Sequence, residues 1–247
     1  MIEKDFSREV ARITIANDRK LNSMGSALLK EFAAAFAAVP DTARCVILTG
    51  EGGRAFMGGA DITEMGRVQT PAQGQAFIES VHGACRAIRD CPVPVFARIN
   101  GWCLGAGLEI AAACDLRISS SAAKFGMPEV RVGIPSVVEA ALLPGLIGWG
   151  RTRRLLLLGE TIDAEQALDW GLVERVVEPD ALDGAVQEWV DLLLLAGPVS
   201  IRNQKALIRE WEDKSVTQGI AAGVPAFAKS WLTDEPQKMM AGFGKKH

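Results

Sequence analysis

Histidine is almost absent from this 247-residue chain, which holds only His82 and His247. His82 falls mid-helix among apolar neighbours, the setting of a packed or surface histidine, so histidine-based catalysis is disfavoured. No CxxC pair occurs. The five cysteines, Cys45, Cys85, Cys91, Cys103 and Cys114, form neither a disulfide framework nor a zinc cluster, and reduced buried thiols are expected. The GxSxG, HExxH, Walker A and SxxK patterns are missing, which removes those hydrolase and NTPase readings. An excess of one charge is missing too: 27 Lys and Arg stand against 30 Asp and Glu, a net charge of −3. Nothing advertises nucleic acid, although a local basic patch for a phosphorylated ligand remains compatible with that total. The most apolar stretch, 137–150, contains Glu139 and Pro144 and falls short of the ~20 apolar residues that span a bilayer. Residues 1–10 alternate in charge and lack the apolar core of a signal peptide, which points to a cytoplasmic protein.

What is present suits one large domain, or one domain with a small appendage, at roughly 150 residues per domain. With 49% hydrophobic and 23% charged residues, a chain of this length can bury roughly 70–75% of its unfolded surface. Period-2 apolar runs predict strands at 10–15, 45–48 and 93–99, with a weaker one at 116–119. Between them, 23–39 and 71–89 carry apolar residues at helical spacing. Asn22 or Ser23 is the expected cap of the first helix, and Pro40-Asp41 and Cys91-Pro92 close the two. The unit is strand, helix, strand, repeated. Beyond about residue 135 the strand signal thins to 173–177, while 189–195, 201–211 and 216–231 read as helices. The last third is therefore expected to pack as a helical extension on the α/β part or on a neighbour.

Two small-residue loops follow successive strands. Gly101-Trp102-Cys103-Leu104-Gly105-Ala106-Gly107 opens the helical run 108–114, but Ile110 stands where a dinucleotide fingerprint needs its third glycine, so a Rossmann reading fails. A glycine-rich turn into a helix N-terminus still presents free N–H groups suited to a developing negative charge. Met57-Gly58-Gly59-Ala60-Asp61 is the second loop, with Asp61 placed to cap a following turn. In a parallel layout both loops lie at one edge of the sheet, where their N–H groups can converge on a carbonyl oxygen. Glu109, in the first turn after the glycine loop, and Glu129, 20 residues on (129 − 109), are the candidate acid/base carboxylates. The apolar surroundings of Glu109 favour a raised pKa.

These residues resemble the crotonase, or enoyl-CoA hydratase/isomerase, superfamily over nearly the whole chain. The segment from Asn17 to Met24, Gly59-Ala60-Asp61-Ile62, the stretch 100–115, Lys124-Phe125-Gly126-Met127-Pro128-Glu129, Gly159-Glu160 and 167–173 are similar to successive family landmarks in order. The resemblance implies an α/β fold: a crotonase-like spiral of ββα units over residues 1–190, with a C-terminal helical trimerisation region over 191–247. It implies an acyl-CoA thioester substrate and assembly as a homotrimer or a dimer of trimers. No metal is implied, and no cofactor beyond the coenzyme A carried by the substrate.

By the same resemblance, the N–H groups of Ala60 and Ala106 form an oxyanion hole for the thioester carbonyl, and Gly105 and Gly107 allow its close approach. Both glutamates of the family's hydratases are matched, with Glu109 holding a water and Glu129 handling the C2 proton. Family isomerases usually lack the first glutamate. Lys20 and Arg19, with Ala60, Asp61, Ile62 and Gly105, match the family's CoA-binding segments, and Phe243, Lys245 and Lys246 are candidates for the adenosine end. The chain departs from the family at Ile134-Pro135-Ser136-Val137-Val138-Glu139, where many members are small and glycine-rich. Glu139 reads there as a helix-surface acid or else as a third pocket carboxylate, and Arg131 as a partner for a nearby carboxylate. The expected activity is hydration of a trans-2-enoyl-CoA. Double-bond isomerisation, another enolate reaction and a non-catalytic acyl-CoA binder are the alternatives.

Overall fold

Alternation along Val10–Ile15 buries Ala11, Ile13 and Ile15, while every residue of Cys45–Gly50 is buried, as a strand covered on both faces requires. The computed structural model describes residues 1–243, of Phe243 the backbone alone. The first part of the chain runs β1 (Ile2–Asp5), β2 (Val10–Ile15), α1 (Ser26–Ala37), β3 (Cys45–Gly50), β4 (Ala55–Met57), α2 (Ile62–Met65) and α3 (Pro71–Asp90). It continues with β5 (Val95–Ile99), β6 (Trp102–Leu104), α4 (Ala106–Ala113), β7 (Leu116–Ser120), β8 (Lys124–Gly126) and α5 (Leu143–Leu158). The remainder is β9 (Thr161–Asp163), α6 (Ala164–Trp170), β10 (Arg175–Val177), α7 (Leu182–Leu194), α8 (Pro198–Glu212), α9 (Val216–Lys229) and α10 (Glu235–Phe243).

The strands sort into two sheets. One has the order β1-β2-β3-β5-β7-β10 and the other β4-β6-β8-β9. β3 and β4, β5 and β6, and β7 and β8 each place one strand in each sheet before the chain turns back, which is the expected spiral of ββα units. In the small sheet β4, β6 and β8 are parallel, so the chain leaves all three at the same edge. The strand period did not reveal β1, β4, β6, β8 and β9, because runs of three or four residues carry too little alternation. The expected cap of α1 is also corrected. Gly25 stands at that position, and the carboxylate of Glu64 accepts from Ser26 N–H (2.9 Å) and Ser26 Oγ, while Asn22 is buried with its amide donating to Ala55 O and Glu51 O.

The main core lies between the sheets and helices α1, α3 and α4. A smaller one forms where Leu182, Ala185, Val186 and Val190 of α7 cover Cys45, Ile47, Phe96 and Ile118 on the outer face of the large sheet. All five cysteines are buried and free. Lys205 fastens α8 to this body: its buried ammonium donates to Val93 O at 2.9 Å and pairs with Asp115 at 2.7 Å. Such a buried amine is tolerable because each of its donors finds an acceptor. α9 and α10 are different, for Gly219 is the one residue of α9 that is buried. Among the described residues no helix is long and apolar enough to cross a membrane.

Candidate active site

Three loops leave the parallel edge of the small sheet side by side, after β4, β6 and β8. The first is held by the segment 17–24. Gly58 N–H donates to Leu21 O, Met24 N–H to Gly59 O and Asp61 N–H to Met24 O. Met24 therefore bonds the residues on either side of Ala60 in a parallel bridge, which turns the Ala60 N–H away from Met24. The second loop ends at Gly105, whose φ of +51° is one that L side chains rarely adopt. A Cβ on Gly107 would collide with the backbone at Met57 O, so close approach requires that glycine, while one on Gly105 would meet the carboxylate tip of Glu129. Ala106 opens α4, and its N–H is one of the first-turn donors left without an intrahelical partner.

Ala60, Gly105, Ala106, Glu109 and Glu129 line one cavity of about 360 Å³, a size usual for small-molecule sites. Its other walls are largely apolar, with Phe77 and Val81 from α3 and Ile134 and Val137 from the segment after Glu129. Bulk in the 134–137 stretch thus shapes the cavity wall. Glu109 is 4% exposed. Burial first, and then the neighbouring charge of Glu129, push its carboxyl up to about 8. A carboxyl so placed holds its proton more tightly than a free glutamate does. Glu129 sits on a 3-10 turn, Pro128–Val132, and its Oε2 accepts from Ser136 Oγ at 2.8 Å. The sequence offered no signal for Ser136, which reaches Glu129 across a left-handed turn at Gly133 and two apolar residues.

The other candidate residues spread around the mouth. Lys20 pairs with Asp61 at 2.7 Å across the base of the Ala60 loop, while Arg19 lies on the exposed flank of the same turn. Asp61 spends its carboxylate on Lys20 and on the Thr63 N–H that it caps at the start of α2, as its position suggested. That ion pair holds the Asp61 carboxyl below the ordinary value, the Lys20 hydrogen bond being the largest cause. Ile62 is exposed at the rim and lines the cavity. Lys245 and Lys246 lie outside the described residues, as does the side chain of Phe243.

Two expectations are corrected. Arg131 pairs with no carboxylate among the described residues; its guanidinium reaches Leu158 O at 3.4 Å, because the 3-10 turn aims it toward the end of α5. Glu139 is not a surface acid: it is 7% exposed and bonded to His82, and it stands behind the cavity wall rather than in it.

A two-sheet ββα spiral with a cleft at the edge of its three parallel strands is the crotonase fold. A solved enoyl-CoA hydratase from Bacillus anthracis superposes with a TM-score of 0.94 at 30% identity, covering 100% of this chain and 96% of that one. The family described as enoyl-CoA hydratase/isomerase matches residues 5–247. A short-chain-enoyl-CoA hydratase from Clostridium acetobutylicum is 34% identical over 241 residues, 96% of this chain and 92% of that protein. A crotonyl-CoA hydratase from Syntrophomonas wolfei is 32% identical over 249 residues, covering 100% and 95%. The chain belongs to the enoyl-CoA hydratase/isomerase family.

Proposed function

We propose that the protein is an enoyl-CoA hydratase, a hydro-lyase that adds water across the double bond of a trans-2-enoyl-CoA. The observation that carries this reading is the presence of two carboxylates, Glu109 and Glu129, on one apolar cavity beside the amides of Ala60 and Ala106. A thioester carbonyl bound between those amides would have its developing enolate oxygen stabilised, and one such donor is typically worth ~10²–10³ in rate. The relatives named short-chain-enoyl-CoA and crotonyl-CoA hydratase support the substrate class.

In hydration a water held by Glu109 gives its hydroxyl to C3 and its proton to the Glu109 carboxylate, while Glu129 gives a proton to C2. The pair ends with its one proton on Glu109. Dehydration runs the same steps backwards, and the high proton affinity of Glu109 in the free protein corresponds to the dehydration-ready arrangement. Gly105 and Ile62 would flank the thioester, and Lys20 and Arg19, beside Asp61 at the mouth, would meet the CoA phosphates. No metal and no separate cofactor enters this scheme, since coenzyme A arrives as part of the substrate. The exposed apolar residues of α9, among them Val224 and Phe227, support assembly as a trimer or a dimer of trimers through the C-terminal helices. The location we assign is the cytoplasm.

The test is the loss of conjugated-thioester ultraviolet absorbance when the protein meets a short trans-2-enoyl-CoA. Turnover by the wild type, with losses of about 10³-fold or more in both Glu109→Gln and Glu129→Gln, is the expected result. Full activity in Glu109→Gln with none in Glu129→Gln would favour the isomerase reading. Tight thioester binding without turnover on any double-bond position would favour a binder.

A further inference from the structure

Glu139 is a buried carboxylate that the scheme above leaves idle, and the chain bends against its own preferences to bury it. Val138, immediately before it, has φ +39°, a left-handed conformation that is a genuine outlier for a β-branched residue and stores backbone strain. The bend turns Glu139 and Ala140 of the 3-10 turn Val138–Leu142 inward. Glu139 Oε1 then meets His82 Nδ1 of α3 at 2.8 Å, while Oε2 is buried with no hydrogen-bond partner. An unpaired buried carboxylate oxygen is costly, and a packing role would be served better by an apolar side chain.

Its surroundings say what the charge acts on. The turn packs against α3 and α4; from α3 come His82 and the Cys85 thiol, and from α4 the Glu109 carboxyl. α5 packs on the same turn but sends its arginines elsewhere: Arg151 to Asp169, Arg154 to Glu160 and Arg153 over Trp149. On α3, the flanking Arg86 pairs with Asp90 and Glu79 accepts from Gln75. Among the described residues, His82 is thus the one side chain that brings a positive charge to Glu139 when protonated. With its side chain 51% exposed, it meets solvent on the outer face of α3.

We propose that Glu139 and His82 are a positioning pair for the acid/base site: the Glu139 carboxylate, held by His82 on the turn that packs against α4, is set to act on Glu109 from behind the cavity wall. Glu139 touches neither cavity nor substrate and acts through Glu109. A charged Glu139 places a second negative neighbour beside Glu109, in addition to Glu129, and strengthens its hold on the proton; a protonated His82 offsets that charge and weakens it. The role rests on the reading of Glu109 as a working acid/base group.

The test is a carbon-13 titration of the full-length, ligand-free protein labelled at the glutamate carboxyls, with Glu109→Gln identifying the Glu109 signal. Glu139→Gln should lower the Glu109 midpoint by about one pH unit, a tenfold loss of proton affinity. Glu139→Met, uncharged and of similar length, is the second variant and should lower it likewise should the amide not fold. His82→Gln keeps a hydrogen-bond donor and leaves the Glu139 carboxyl in place, so the Glu109 midpoint should stay where it is or rise. A midpoint unmoved by either Glu139 variant overturns the proposal. So does a drop in His82→Gln as large as that in Glu139→Gln, which would mean that loosening the turn is enough. Because no substrate is present, failure of the hydratase reading shows itself separately, as a shifted midpoint in a protein that adds no water to an enoyl thioester.

Discussion

The edge of the small sheet and the face of α9 make opposite exceptions to the rule that apolar groups are covered and polar groups paired. At the sheet edge the exceptions are polar: a carboxyl 4% exposed in an apolar wall and a second, Glu129, on the 3-10 turn Pro128–Val132, both lining one cavity with Ala60 and Ala106. On α9 they are apolar, since Val216, Ile220, Val224 and Phe227 stand in solvent along one helix. The first pattern costs stability and makes sense where charge must develop during a reaction. The second costs solubility and makes sense where a surface is to be covered by another chain. Removing either exception should therefore leave the other untouched.

The largest effect should come from neutralising the polar exception. A carboxyl held at about 8 in the folded chain and at 4.5 in the unfolded chain binds its proton more tightly when folded. That contribution is fully present below about 4.5 and is lost as pH rises toward about 8. Glu109→Gln should therefore match the wild type at pH 4 and exceed it by on the order of 3 kcal/mol at pH 8, read by denaturant unfolding at both pH values. Gly105→Ala comes next. Its Cβ must displace the Glu129 carboxylate and its backbone must hold φ +51°, so kcat should fall by ~10²-fold and the melting temperature should fall with it.

Phe227→Asp addresses the other region. A charge in the α9 face should weaken assembly by about tenfold or more, seen as a concentration-dependent loss of mass in light scattering, while circular dichroism of the protomer is unchanged. The smallest expected effect is that of Ser136→Ala, which deletes the 2.8 Å hydrogen bond to Glu129. About 1 kcal/mol is at stake, or a several-fold fall in kcat with KM little changed.

Much of this architecture was legible beforehand for identifiable reasons. β2, β3, β5 and β7 are long and regular enough to show their periods, and α3 shows its apolar stripe with Pro71 at its start. Glycines in the two loops and the placement of Glu109 and Glu129 after them pointed to the site. What stayed hidden depends on residues far apart in the chain. Glu64 caps α1 from 38 residues away, so Asn22 was free to be buried elsewhere. Glu139 looked like the outer face of a helix because nothing in a valine announces a positive φ. Three-residue strands such as β4, β6 and β8 exist only because their neighbours pair with them.

The most direct test of the account follows atoms rather than rates. Incubated with a short trans-2-enoyl-CoA in deuterium oxide enriched in oxygen-18, the wild-type protein should yield a product that has gained one water, with the heavy oxygen at C3 and a single deuterium at C2. Mass spectrometry of the thioester and of its hydrolysed acid reads both positions. A product of unchanged composition with its double bond moved and deuterium along the chain, or no product at all, would contradict it.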